Sequence, residues 1–284
     1  MSNVQSVNNE FFNKNAQNYD SFPHADEMTQ RGSEVVVREF AASTSDERVK
    51  NASVLDFGCG TGLCAFKVAT SVNHLLGVDA SEGMLQYLNH KLSTNPENSA
   101  IRNKLATVNH LVTDEAPLPD PEFSQYLSGP EGGFDLVYST YVMHHIEDVQ
   151  GVVNTISKKL LKKDGWLIVV DFEGAHGHGH DHGHDHGHNH DHNHEGGEAH
   201  AHHHGHHHGH HEGQHTHEFF KGIDGEAAEY VAHKGGFTTE GFAEVFKEAG
   251  LVDVSATHSF GMNLTRNGKT VWTDFLVVKG RREA

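Results

Sequence analysis

The sequence predicts an α/β fold with a mostly parallel sheet, and three observations carry that expectation. Short apolar runs such as 74–78 and 166–170 lack the polar alternation of a half-exposed strand. They alternate with segments of helical composition, and the first strand runs into three glycines at alternate positions, Gly58, Gly60 and Gly62. A strand covered by helices on both faces is apolar throughout, and parallel neighbours need a crossover between them. Glycines at a strand end let the backbone turn sharply and approach a ligand where a Cβ would collide.

At 284 residues the chain can hold one large α/β domain plus an insertion. Its formal charge is -18 with histidine neutral, and the Lys and Arg are scattered. That argues against a nucleic-acid partner, whose phosphates need a clustered basic face. The 29 histidines outnumber the acidic excess, so the sign of the charge depends on mildly acidic pH. No apolar run approaches the roughly 20 residues of a membrane span. Residues 1–19 are polar and lack the apolar region of a signal peptide, so a cytoplasmic protein is expected. Cys59 and Cys64 both fall at the glycine turn, where a disulfide would strain the backbone, and two buried free thiols are expected.

Residues 54–62 read Val-Leu-Asp-Phe-Gly-Cys-Gly-Thr-Gly, and Leu63 to Thr70 continue with helical composition. The turn's N–H groups and the positive end of that helix thus face whatever lies above the sheet. Two cofactor classes use such a turn. Gly60 to Ala65 fits the dinucleotide spacing G-x-G-x-x-A, with Asp79 about 20 residues on as a ribose ligand. Asp56 tells against it, because a carboxylate two residues before the first glycine repels a pyrophosphate and attracts an ammonium or sulfonium. The stretch resembles the first motif of the class I S-adenosylmethionine-dependent methyltransferases. The resemblance implies S-adenosyl-L-methionine as cofactor, a Rossmann-like sheet in the order 3-2-1-4-5-7-6 and methyl transfer to a small-molecule substrate.

The remaining elements follow in order. Glu10 to Asp20 carries Phe11, Phe12 and Tyr19 near helical spacing and is read as an added helix; the resemblance implies that Tyr19 covers the cofactor. Asp26 to Ala42 has an apolar stripe of Met28, Val35, Val36 and Phe40 and is predicted helical, with a loop at 43–46. His74 to Val78 makes the second strand, closed by Asp79, whose carboxylate can accept from both ribose hydroxyls. Ser81 is the cap of the next helix, and Met84 on it is expected either beside the adenine or as core filling. Asn95 to Asn103 is expected to be structureless. Leu105 to Val112 makes the third strand, and the resemblance implies that Asp114 beyond it bonds the adenine amine. Ala116 to Gly133, with Pro117, Pro119, Pro121 and Pro130, is a surface excursion.

Phe134 to Ser139 is the fourth strand. The stretch from Thr140 to Asp148 resembles the segment that follows this strand in small-molecule methyltransferases, with a histidine pair, here His144 and His145, close to the reacting methyl. An imidazole there can act as general base. Ser139-Thr140-Tyr141-Val142 stands where amide- and base-methylating enzymes carry Asn-Pro-Pro-Tyr, so a phenol, quinone precursor or carboxylate is expected as acceptor in preference to DNA, with a protein substrate left open. Asp148 caps a helix with Val149, Val152, Val153, Ile156 and Leu160 on one face, and Asp164-Gly165 ends it. Trp166 to Asp171 is the fifth strand. Gly235 to Glu240 starts another helix, stopped by Gly250, and Leu251 to Gly261 and Val271 to Lys279 form a closing hairpin across Asn267-Gly268. The layout, ending in Gly280-Arg281-Arg282, is similar to a group of uncharacterised eukaryotic methyltransferases, fungal ones among them, that carry a histidine-rich loop at this place.

From Gly174 to His217 the chain holds 21 of its 29 histidines among Gly, Asp and Asn, with almost no apolar residues. Such a tract cannot bury enough surface to offset its ordering entropy, and disorder is expected. His-x-His spacing sets imidazoles on one side of an extended chain. Runs such as His202, His203, His204 and His206, His207, His208 can hold zinc, nickel or copper weakly, without a unique ligand set. The chain thus divides into a helical segment at 1–50, a cofactor-binding core at 51–173, an insertion at 174–217 and a completion of the fold at 218–284. The alternative function is transition-metal binding by the tract, with the remainder as scaffold. Deleting residues 174–217 separates the two: cofactor affinity, measured by calorimetry, is expected to survive, and zinc or nickel uptake to be lost. In the full chain that uptake should fall steeply below pH about 6.5, because bound imidazoles must be neutral.

Overall fold

The computed structural model describes residues 3–119, 132–174, 220, 229–266 and 268–284. Among them seven strands form one sheet: β1 Ser53–Phe57, β2 His74–Asp79, β3 Leu105–Asn109, β4 Phe134–Thr140, β5 Leu161–Phe172, β6 Leu251–Arg266 and β7 Lys269–Arg282. Their spatial order is 3-2-1-4-5-7-6, as expected, with β1 to β5 parallel and β7 antiparallel to both of its neighbours. The helices are α1 Asn3–Tyr19, α2 Ala25–Ser43, α3 Asp46–Asn51, α4 Leu63–Val68, α5 Glu82–Thr94, α6 Val149–Thr155 and α7 Thr239–Glu248.

Alternate residues of the central strands serve two cores. Val54, Leu136, Ile168 and Val170 face α2, α4 and α5, while Leu55, Val137, Leu167 and Val169 face α6 and α7. Burial on both faces is the reason these strands read as unbroken apolar runs. The expected caps are present, Ser81 Oγ accepting from Met84 N at 3.3 Å and Asp148 Oδ1 from Gly151 N at 2.8 Å, and Thr238 Oγ1 caps α7 by accepting from Gly241 N at 3.1 Å.

The boundaries depart from the sequence reading where a partner strand or a cap intervenes. The expected loop at 43–46 is short, because Ser45 Oγ accepts from Arg48 N and starts α3, which buries Val49. Asn95 Oδ1 accepts from Glu97 N and orders a 3₁₀ turn at Pro96–Ala100 where no structure was expected. β3 stops at Asn109 rather than Val112, since its neighbour β2 ends at Asp79 and offers nothing further to pair with. Asp164-Gly165 does not terminate a helix. A π turn at Ile156–Leu160 leads straight into β5, and Asp164, at φ 60, lies within a register shift of that strand, tied by Arg281 Nη1 at 2.6 Å.

β6 and β7 outrun the expected hairpin and extend past β5, where Met262, Leu264 and Phe275 form a third cluster with Phe172 and Phe220. Asn267 and residues 120–131 lie outside the described residues, as does the histidine tract beyond Gly174. No helix of the described residues is long and apolar enough to cross a membrane.

Gly62 caps α4 at φ +86, and a Cβ there would lie 2.7 Å from the Leu88 side chain. Gly62→Ala is expected to lower the unfolding free energy by about 1–3 kcal/mol, read as a lower urea midpoint. An unchanged midpoint would mean that the turn relaxes around the methyl.

Candidate active site

The glycine turn continues the sheet's hydrogen bonding beyond β1. Gly58 N and Cys59 N both donate to Val78 O, at 2.8 and 3.1 Å, and Gly60 N donates to Asp79 Oδ2 at 2.8 Å. A second amide, Ser81 N, donates to Asp79 Oδ1 at 2.8 Å, so one carboxylate joins the turns after β1 and β2. Each of its oxygens keeps a further lone pair. Above the turn lies a cavity of about 190 Å³ bordered by Tyr19, Gly58, Gly60, Asp79, Met84 and His145. A Cβ on Gly60 would meet nothing within 4 Å and would project into that open space.

Asp56 stands behind this wall. It is 1% exposed, Tyr138 Oη donates to its Oδ2 at 2.7 Å, and its Oδ1 has no hydrogen-bond partner. Burial pushes its carboxyl up to about 7, opposed by the Tyr138 bond and aided by the nearby Asp79. Gly62 likewise supports the turn from below. Cys59 and Cys64 are free and buried, and burial pushes the Cys64 thiol up to about 12.

Asp114 is not brought to the site. It is exposed, and its carboxylate pairs with Lys159 Nζ at 2.8 Å. Because β3 ends early, His110, Leu111 and Val112 supply the cavity wall on that side.

Helix α1 and the turn after it close the cavity, and among the residues that do so sequence reading passed over Asn8 and Asn13. Asn8 Nδ2 donates to His145 O at 3.0 Å, Asn13 Oδ1 accepts from Ser81 Oγ and Gly83 N, and Asp20 accepts from Thr61 Oγ1 and Lys91 Nζ. Asn8 Oδ1 is buried and unpartnered.

A second cavity of about 600 Å³ adjoins the first, and Phe12, Tyr19, Thr29, Leu63, Tyr141 and His145 border both. His144 lines only the second. Its Nδ1 lies 2.7 Å from Asp171 Oδ1, and both residues are buried. A carboxylate only accepts, so Nδ1 carries the proton and Nε2 is the basic nitrogen. Asp171 Oδ2 also accepts from His144 N at 3.2 Å, which fixes the loop against β5. Asp171 was legible as a strand-end acid, but its partner was not. His145 differs: its Nδ1 donates to Tyr230 O at 2.7 Å, and desolvation, then the neighbouring His144, hold it well below the usual histidine range. Among the described residues no group of three or more His, Cys, Asp or Glu is placed to hold a metal.

The open space at Gly60 and the Asp79 carboxylate beside it suit a ligand that brings hydrogen-bond donors to a glycine turn, as S-adenosyl-L-methionine does. With a sheet in the order 3-2-1-4-5-7-6, these features define the class I S-adenosylmethionine-dependent methyltransferase architecture. The family described as a methyltransferase domain matches residues 29–256, and the chain belongs to it.

Among curated proteins, an uncharacterised methyltransferase of Schizosaccharomyces pombe is 34% identical over 120 residues, covering 42% of this chain and 38% of that relative. The ubiquinone biosynthesis O-methyltransferase of Pelagibacter ubique is 26% identical over 136 residues, 48% of each chain. The match thus spans less than half the length of each of these two relatives. Among solved structures, the magnesium protoporphyrin IX methyltransferase of Synechocystis with bound SAH shares the fold at a TM-score of 0.55 and 14% identity, covering 99% of this chain and all of that one.

The raised Asp56 carboxyl has a signed consequence. Its unfolded counterpart ionises near pH 4, so the residue costs folding stability progressively as pH rises from there to about 7. A cation held at the turn favours the ionised form. Affinity for S-adenosyl-L-methionine, followed by calorimetry, is therefore expected to increase as pH rises through about 7 in the native chain and to lose that dependence in Asp56→Asn.

Proposed function

We propose that the protein transfers a methyl group from S-adenosyl-L-methionine to the hydroxyl of a small aromatic acceptor, a phenol or a quinone precursor. The observation that carries this reading is the buried His144–Asp171 pair in the wall of a cavity that adjoins the glycine-turn cavity. Gly58, Gly60, Asp79 and Met84 would hold the cofactor along the first cavity, with Asp56 behind the turn and Tyr19 at the junction. When bound, the cofactor supplies an electrophilic methyl on a sulfonium.

The chain's own residues supply position and a proton acceptor. His144 Nε2 takes the hydroxyl proton as the acceptor oxygen becomes the nucleophile, and the Asp171 carboxylate stabilises the resulting imidazolium. Holding the reacting atoms in line removes about 7–11 kcal/mol of barrier, so little further chemistry is demanded of the protein. Phe11, Phe22, Phe172, Phe220 and Tyr230 in the acceptor cavity suit a flat apolar body. The Pelagibacter relative is named as an O-methyltransferase, which supports oxygen as the nucleophile.

The test is a screen of hydroxylated aromatics and aromatic acids for S-adenosylhomocysteine release, followed by kinetics of His144→Ala and Asp171→Asn. Each substitution is expected to lower turnover roughly 100-fold or more while cofactor affinity holds. Full turnover in a stably folded double variant would remove the base from the mechanism. Release only with carboxylate acceptors, which need no base, would replace the hydroxyl.

A further inference from the structure

His144 and His145 are consecutive, yet each ring has its own tether. His144 Nδ1 donates to Asp171 Oδ1 at 2.7 Å, and His145 Nδ1 donates to Tyr230 O at 2.7 Å. Neither acceptor can donate, so both imidazoles carry the proton on Nδ1 and leave a lone pair at Nε2. Edge-on contacts from Phe172 and Phe12 hold the two rings in place, with their centroids 4.0 Å apart and their planes at 42°.

Neither Nε2 has a hydrogen-bond partner, and neither is sealed from solvent-sized space. Among the described residues, the sealed side-chain atoms without a partner are Asn8 Oδ1, Asp56 Oδ1 and Ser259 Oγ. Both lone pairs therefore open onto free space, and the cavity of about 600 Å³ is bordered by both rings. The rings differ in what a proton would meet. The Asp171 carboxylate stabilises an imidazolium at His144, whereas His145 has only a carbonyl behind it, and desolvation, then the neighbouring His144, hold it well below the usual histidine range. His145 is thus suited to receive a hydrogen bond without removing the proton.

We infer that the methyl acceptor is an aromatic vicinal diol, with one hydroxyl at His144 Nε2 and its neighbour at His145 Nε2. The inference rests on the proposed methyl transfer to a hydroxyl and narrows the class of acceptor. Neighbouring hydroxyls on a flat ring are about as far apart as a hydrogen bond is long, so each can reach its own imidazole when the ring centres lie 4.0 Å apart. His144 Nε2 takes the proton of the first hydroxyl, whose oxygen bonds the methyl carbon while the electron pair of the broken carbon–sulfur bond stays on sulfur. The second hydroxyl keeps its proton and hydrogen-bonds His145 Nε2. Once one oxygen is methylated it can no longer donate, so one methyl per diol follows.

The experiment compares catechol, 2-methoxyphenol and phenol as acceptors for the full chain, with S-adenosyl-L-methionine supplied and S-adenosylhomocysteine release as the readout. The native protein is expected to favour catechol over each of the others by roughly tenfold or more in kcat/KM, and to stop at the monomethyl ether. His145→Asn keeps an amide that can donate to Tyr230 O but places no nitrogen where Nε2 was. It is expected to bring the three acceptors within about twofold of one another, chiefly through a higher KM for catechol. A native chain that uses catechol and phenol alike overturns the inference without any variant and leaves hydroxyl methylation standing. So does a His145→Asn protein that slows all three by the same factor and keeps the preference, which would make His145 a structural tie. If no hydroxylated aromatic releases S-adenosylhomocysteine, the proposed hydroxyl chemistry itself fails and the inference falls with it.

Discussion

Asp79 accepts from Gly60 N and Ser81 N at 2.8 Å each, and the cavity above the sheet takes its shape from that carboxylate. β1 and β2 pair from Ser53 with His74 to Phe57 with Val78, and Val78 O then takes two more amides from the glycine turn. The turn is thereby an extension of strand pairing rather than a loose loop. Burial raises the Asp79 carboxyl, while the two N–H bonds favour its ionised form. Glycine at position 60 leaves the space above this frame open, and the ligand-facing surface is backbone rather than side chain.

The cover over that frame is attached differently from the rest of the fold. α2 buries Val35, Val36 and Phe40 against the sheet, whereas the buried side chains of α1, among those described, are Asn8 and Ala16. Its polar attachments are side-chain hydrogen bonds to His145 O and to the start of α5, with Asp20 just past its end accepting from Thr61 and Lys91, and Phe11 and Phe12 add ring contacts to Tyr230 and His145. Each such bond contributes only about 0.5–1.5 kcal/mol net because water competes for the same groups.

Between the two cavities stands Tyr141, a non-glycine residue at φ 61. That conformation persists because its surroundings over-determine it: Tyr141 N donates to Val170 O at 2.9 Å and Tyr141 Oη to Met28 O at 2.7 Å. Gly32 makes room for the ring, since a Cβ there would lie 2.6 Å from Oη. The strained residue is part of the wall that the two cavities share. The next residues of the same loop carry His144, so the backbone that bends at Tyr141 also delivers the imidazole to Asp171.

Asp56, the three glycines and Asp79 were legible in the chain because a strand end and its turn are local, as were the caps Ser81 and Asp148, which bond amides three positions on. Asp114 was misplaced by carrying β3 to Val112, since a strand ends where its neighbour ends and not where its own apolar residues do. The sequence by itself therefore determined the alternation of strands and helices, the glycine turn and the helix starts, each resting on contacts a few residues long. Only the tertiary structure decided that Asp171 partners a histidine 27 positions away, that Asn8 meets a carbonyl 137 positions away and that two cavities adjoin at Tyr141. Hydrogen-bond partners, burial and the charge of a carboxyl all depend on which distant groups the fold brings within a few ångströms, and local composition carries no record of them.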